Sequence, residues 1–214
     1  MPDWLAQKVV AEPEPLPPIR PSSALGAADR MMRAGDGPYA PEARLRGTIV
    51  HALLERLPSL PPEKRGAMAT AYVKARAPRL AAGLRETFVS HALSVLQHTA
   101  LVPLFGAGSR AEAPLAGRIA TAEGELLVSG QIDRLAVLED EVLVADFKTT
   151  ARPPREGEPP PQSYVTQLAL YRLLLQEIYP EKRVRAFLVW TAGPVVHELG
   201  NAELERALAL IRAT

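Results

Sequence analysis

The sequence predicts an α/β layered fold, a central sheet covered by helices. Three observations predict it. Helical apolar spacing before residue 100 gives way after Gly106 and Gly108 to strand-like alternation, and helix and strand then alternate to the end of the chain. The segment 141–149 is apolar on both faces until its last residues, as a central strand covered from both sides should be. With 47% hydrophobic residues among 214, the chain can bury a core of ordinary domain size.

Residues 1–46 are rich in Pro, Ala and Gly, with Pro13, Pro15, Pro17, Pro18 and Pro21 close together, and read as an extended arm or linker. From Gly47, the residues Ile49, Leu53, Leu54 and Leu57 follow one helical face that Pro58 ends, and His51 lies in this helix. A helical insert over 63–98 follows, opened by Pro61, Pro62 and Glu63, interrupted at Pro78 and resuming through Leu84, Phe88, Leu93 and Leu96. Its exposed face is expected to carry Lys64, Arg65, Lys74, Arg76, Arg79 and Arg85, either as a merely solvated face or as a phosphate-contacting one. Strands are expected over 111–120, 125–137 and 141–149, the last two joined by the acidic turn Glu139-Asp140. In the second, Leu126, Val128 and Ile132 share one face, while Ser129, Gln131 and Asp133 share the other. In the third, Val142, Val144, Asp146 and Lys148 lie opposite Leu143, Ala145 and Phe147. A Pro-rich loop leads to a helix over 164–178, whose apolar side carries Val165, Leu168, Tyr171, Leu175 and Ile178. A fourth strand over 184–190 and a final helix over 202–212, capped by Asn201, complete the order.

Composition excludes several classes. There is no run of about 18 apolar residues, as a membrane-spanning helix requires. The N-terminus lacks a basic-then-apolar pattern, so export is not expected and a cytoplasmic location is. Zero cysteines leave no disulfide, zinc-thiolate or iron–sulfur site. No G-x4-G-K-[ST] occurs, so this chain carries no phosphate loop for an ATP-driven motor. Formal net charge is only +1, yet residues 47–100 hold seven basic against three acidic groups, and residues 101–214 twelve against fifteen. A basic middle therefore adjoins an acidic C-terminal half.

The chemistry converges on three carboxylates. Asp133 and Asp146 sit at the ends of adjacent strands, and Glu112 lies near the start of the first. The spacing Asp146-x-Lys148 puts acid and base on one side of a strand, roughly 7 Å apart. Acids forced together at a sheet edge repel unless a cation joins them, and oxygen ligands suit Mg²⁺ or Mn²⁺. A lysine beside such an ion would position water for attack on phosphorus. Asp-x-Lys alone is a common surface pair; the preceding Gly-Gln-Ile-Asp and the strand–turn–strand context set this one apart.

The elements RGTIVHALLE (46–55), AEAPLAG (111–117), SGQIDRL (129–135), LVADFKTT (143–150) and YVTQLALYRLLL (164–175) occur in the order G-x3-H, E, G-x-x-D, D-x-K and Q-x3-Y. In these the chain resembles the RecB-family nucleases of the PD-(D/E)XK superfamily, and among them the C-terminal nuclease domains of AddA-type helicase–nucleases. The resemblance covers about residues 20–214, including the approach RPSSA (20–24). It implies a restriction-endonuclease-like core, a mixed sheet of four or five strands flanked by helices, within a nuclease domain over 47–214. It implies that His51, Asp133, Asp146 and the Phe147 main-chain carbonyl ligate Mg²⁺ or Mn²⁺, that Lys148 is the catalytic lysine, and that Glu112 joins the site; the structural alternatives are a core or capping His51 and an ordinary strand-edge Glu112. Gln167 and Tyr171, one turn apart on a helix, would help hold DNA; a buried tyrosine with a glutamine partner is the structural alternative. His91, His98 and His197 have no motif around them and are read as structural.

By the same resemblance, the substrate is single-stranded DNA delivered by a helicase motor in the same parent chain, with an AddB-like subunit as partner, in double-strand-break processing. The cysteine quartet of iron–sulfur nucleases is absent. The basic face at Arg76, Arg79 and Arg85, with Arg152 and Arg155 in the Pro-rich loop, is expected to supply backbone contacts. Two other readings stay open at this level: a non-catalytic DNA-binding or assembly domain, and a stand-alone nuclease of the same superfamily.

Overall fold

A computed structural model of the chain describes residues 20–21, 40–150, 153–155 and 157–212. Most of the expected arm, with Pro13 to Pro18, and Arg152 lie outside the described residues.

Helix α1 spans Ala40–Arg56, starting seven residues before the expected Gly47. Pro41 is compatible with a first turn, and Glu42 complements the positive helix end there. Gly47 is thus internal to the helix. A Cβ there would lie 3.1 Å from Thr149 Oγ1, so the glycine lets α1 come close to the sheet. Pro58 ends the helix in a 3-10 turn, Leu57–Ser59, as the sequence predicts. Helices α2 (Pro62–Arg76) and α3 (Ala82–Gln97) break at Pro78 as expected, and a 3-10 segment Thr99–Phe105 leads into the sheet. Arg65 departs from the expected exposed face: it is half-buried, and its guanidinium donates to the Pro58 and Leu60 carbonyls.

The sheet is five-stranded and mixed, in the order β1-β2-β3-β4-β5. Strands β1 (Ser109–Thr121) and β2 (Gly124–Val137) form a long hairpin, and β3 (Glu141–Lys148) pairs antiparallel to β2. Helix α4 (Gln162–Ile178) carries the chain over to β4 (Arg183–Trp190), which runs parallel to β3. A parallel neighbour needs such a crossover. β5 (Val195–Glu198), a four-residue edge strand, makes up the fifth strand that the resemblance allows for, at a position the sequence does not mark, and α5 (Asn201–Arg212) closes the chain. Asn201 is the first residue of this helix rather than a cap outside it.

Strand alternation divides the interior into two cores. Val142, Val144, Val184, Ala186, Leu188 and Trp190 face α4 and α5; Leu143, Ala145, Phe147, Phe187 and Val189 face α1, α2 and α3. Ile178 is an exception to the expected apolar side of α4, at 53% exposed. β3 is covered on both faces, which is why its side chains from Val142 to Lys148 are all buried. Two charges at the buried end of a central strand are costly unless paired, and this end is the site.

Candidate active site

The ladder between β2 and β3 runs from Val137↔Val142 to Arg134↔Ala145 and stops there. Beyond it the next residues are Asp133 and Asp146. The Phe147 N–H, freed from the ladder, donates instead to Asp133 Oδ2 at 2.6 Å. The β1–β2 ladder is interrupted at the same level, between Ala111↔Arg134 and Ala113↔Ile132, where Glu112 adopts a left-handed backbone with φ 49°. That conformation costs a non-glycine residue about 1 kcal/mol, a strain tolerated when the surrounding structure enforces it. Ile132 and Leu135 both join the core under α4, so the simple alternation expected along β2 breaks around Asp133.

From α1, His51 reaches across to this end of the sheet. Its Nε2 donates to the Phe147 carbonyl at 3.0 Å, and its Nδ1 lies 3.8 Å from Asp133 Oδ1. Ligand atoms of His51, Glu112 and Asp133 all lie within 4.8 Å of one another. The 3.0 Å between His51 Nε2 and the Phe147 oxygen is also the spacing of two adjacent ligands about 2.1 Å from a shared octahedral ion.

Electrostatics fit a cation at this point. Burial, and then the charge of Asp146, push the Asp133 carboxyl up to about 7, although His51, the Phe147 N–H and Lys148 pull the other way. Burial also raises Glu112. Asp146 Oδ2 is buried without an aligned hydrogen-bond donor; the Lys148 ammonium approaches it at 2.6 Å as an ion pair. A divalent ion would relieve the carboxylate repulsion. The donor set is carboxylate, carbonyl and one imidazole with no thiolate, which suits Mg²⁺ or Mn²⁺.

Lys148 is fixed from every side. Besides Asp146, it donates to Gln167 Oε1 at 3.3 Å and stands 3.8 Å from the centre of the Tyr164 ring, a cation–π contact. Gln167 Nε2 donates to the Tyr171 hydroxyl at 3.4 Å, and that hydroxyl donates to the Gln131 carbonyl at 3.1 Å. Gln131 Nε2 in turn donates to the Glu112 carbonyl at 3.3 Å. The α4 helix and the β1–β2 hairpin are thereby joined through one chain of polar groups that ends on the lysine. Tyr171 departs from the expected DNA-holding role. It is 1% exposed, its hydroxyl is spent on Gln131, and burial raises its pKa. A Cβ at Gly130 would lie 2.6 Å from that hydroxyl, so the glycine of G-x-x-D is the seat of the Tyr171 ring.

These groups open into a cleft of about 450 Å³, lined by His51, Glu112, Gln131, Asp133, Asp146, Phe147, Lys148, Tyr164 and Gln167. Arg44, Arg46, Thr149 and Thr150 also line it. Both arginines lie N-terminal to the expected helix start at Gly47; the seven-residue spacing from Arg44 to His51, two helical turns, is the sequence signal that places Arg44 on the same helical face. Tyr164, three residues before Gln167, carried a similar helical signal. Arg76, Arg79, Arg85 and Arg155 do not line the cleft. Arg76 lies over the Tyr72 ring, Arg85 donates to the Pro78 carbonyl, and the Arg155 N–H donates to Glu158. His91, His98 and His197 do not line it either.

The chain belongs to the PD-(D/E)XK nuclease superfamily, which its sequence matches over residues 24–212. Membership brings a divalent-metal nuclease chemistry to which this cleft is suited. Among solved structures, one described as "Crystal structure of SSO0001" is 17% identical, with a TM-score of 0.32 over 75% of this chain and 72% of that one, a likeness too loose to bear on function. No curated protein matches the sequence.

Proposed function

We propose that this member of the PD-(D/E)XK nuclease superfamily is a Mg²⁺- or Mn²⁺-dependent DNA nuclease acting on single-stranded DNA delivered by a helicase. The carrying observation is the meeting of His51, Glu112, Asp133, Asp146, the Phe147 carbonyl and Lys148 in one cleft. His51, Asp133, Asp146 and the Phe147 carbonyl would hold the ion, with Glu112 beside them. When bound, the ion supplies charge stabilisation to the scissile phosphate and a water more readily deprotonated. The chain's own groups do the rest. Lys148, held by Gln167 and Tyr164, points one fixed ammonium into the cleft, where it orients the attacking water and stabilises charge growing on phosphate oxygens. Gln167, steered by Tyr171, positions the lysine. Lys148 and Asp146 are both buried, so little bulk water competes for these contacts.

The order of the five motifs supports the finer reading: the nuclease module of an AddA-type enzyme, working with a helicase motor and an AddB-like subunit in double-strand-break processing. A labelled-strand assay tests it. Single strands carrying 5′ or 3′ labels, and blunt duplexes of the same sequence, are incubated with Mg²⁺. Preferential cutting of the single strand is expected. Efficient degradation of blunt duplex without any helicase would instead indicate a stand-alone nuclease.

A further inference from the structure

We propose that Arg44 and Arg46 form a phosphate-binding subsite on the wall of the cleft, gripping the backbone of the DNA strand beside the scissile bond. This rests on the nuclease reading and adds to it the residues that overcome the site's own negative charge. Three carboxylates in one cleft repel a phosphodiester, so the strand needs cations nearby. Both arginines line the same cleft as Asp133, Asp146 and Lys148, and Thr149 and Thr150 add hydroxyls beside them. Gly47 brings α1 close enough to Thr149 to hold this wall in place.

Glu42, one turn before Arg46, acts on its charge. Among the described residues, no carboxylate lies within ion-pair distance of either. Arg44 is exposed, and Arg46 is half-buried with its Nε shielded from water and lacking a hydrogen-bond partner. Where the guanidiniums reach the cleft, phosphate oxygens match their planar fork. The Arg46 charge is felt by His91, which burial and that charge together hold low. In the insert, Arg65 and Arg85 are tied to main-chain carbonyls and Arg76 lies against a ring, while Lys64, Lys74 and Arg79 are exposed but do not line the cleft.

The test is fluorescence anisotropy of a labelled oligo-dT single strand in Ca²⁺, titrated at salt from about 50 to 200 mM. Each phosphate contact on a single strand contributes about 0.7 to the slope of log K against log salt. The folded Arg44→Gln/Arg46→Gln variant should bind at least tenfold more weakly, with a slope smaller by about 1.4. Arg46→Lys, which keeps the charge, should keep most of the slope. Should Arg46→Gln fail to fold, the exposed Arg44→Gln alone should still lower the slope by about 0.7. An unchanged slope in the folded double variant overturns the proposal. So does a slope lost on Arg76→Gln/Arg79→Gln/Arg85→Gln but kept in the cleft variants. A wild-type protein that binds no single strand at any salt overturns the nuclease reading and the subsite together.

Discussion

Replacing Gly130 by alanine adds one methyl group, and the structure says where it goes. The new Cβ would stand 2.6 Å from Tyr171 Oη, 2.8 Å from Cε1 and 3.0 Å from Cζ. Carbon contacts settle near 3.5–4.0 Å, so the ring must retreat by roughly 0.7 to 1 Å. It has little room, since Tyr171 is 1% exposed within the core under α4. Overpacking of this kind costs about 1–3 kcal/mol, and losing the hydrogen bond to the Gln131 carbonyl adds about 1. A loss of about 2–4 kcal/mol is expected, read as a lowered midpoint in urea unfolding. Retreat of Tyr171 also removes the partner of Gln167, which positions Lys148. Cleavage should therefore slow by at least tenfold in kcat, with a smaller change in KM. Adding Tyr171→Phe removes the hydroxyl clash, so the double variant should be less destabilised than the sum of the singles by at least about 0.5 kcal/mol. Wild-type stability and kcat in Gly130→Ala, or strict additivity in the pair, would refute this account of the glycine.

Other expectations follow from the same geometry. Asp133 titrates at about 7 in the fold against an ordinary 3.8, so the metal-free native state keeps a proton that the unfolded chain releases. Its contribution to metal-free stability is full below pH 3.8 and is lost as pH rises through 7; urea midpoints in EDTA should fall across that window. A cation must displace the same proton, so Mn²⁺ calorimetry in two buffers should show proton release near pH 6 that falls almost to none at about pH 9. Lys148→Met should cut kcat by about 10²–10³-fold, measured at saturating DNA with folding checked by circular dichroism. Leu188→Ala, at a fully buried position of β4, should cost about 2–5 kcal/mol in the same urea assay.

That Asp133, Asp146 and Lys148 meet at one end of the sheet is legible because the signals are local, whereas His51 is singled out by the family resemblance, a lone helical histidine reading by itself as a core or capping residue. A helical period, a strand alternation and an acid–base pair two residues apart all survive in one dimension. What was missed depends on contacts between distant segments. That Tyr171 is buried beneath Gln131 follows from Gly130, forty-one residues away, offering no Cβ. The left-handed backbone of Glu112 follows from two strands parting, and glutamate does not announce it. Arg44 and Arg46 were lost to the arm because proline-rich composition and Gly47 masked a helix already two turns long. β5 has only four residues, too few for a period of two to stand out from a loop.

The central claim is that the cleft at the end of β2 and β3 is a metal-dependent phosphodiester hydrolase site. Its most direct test is cleavage of a labelled single strand by wild type and by Asp146→Asn, each with Mg²⁺, Mn²⁺ or EDTA. Cutting by wild type in either metal, abolished by EDTA and by the isosteric substitution in a folded protein, is the predicted result. Undiminished cutting by Asp146→Asn, or by wild type in EDTA, would contradict it.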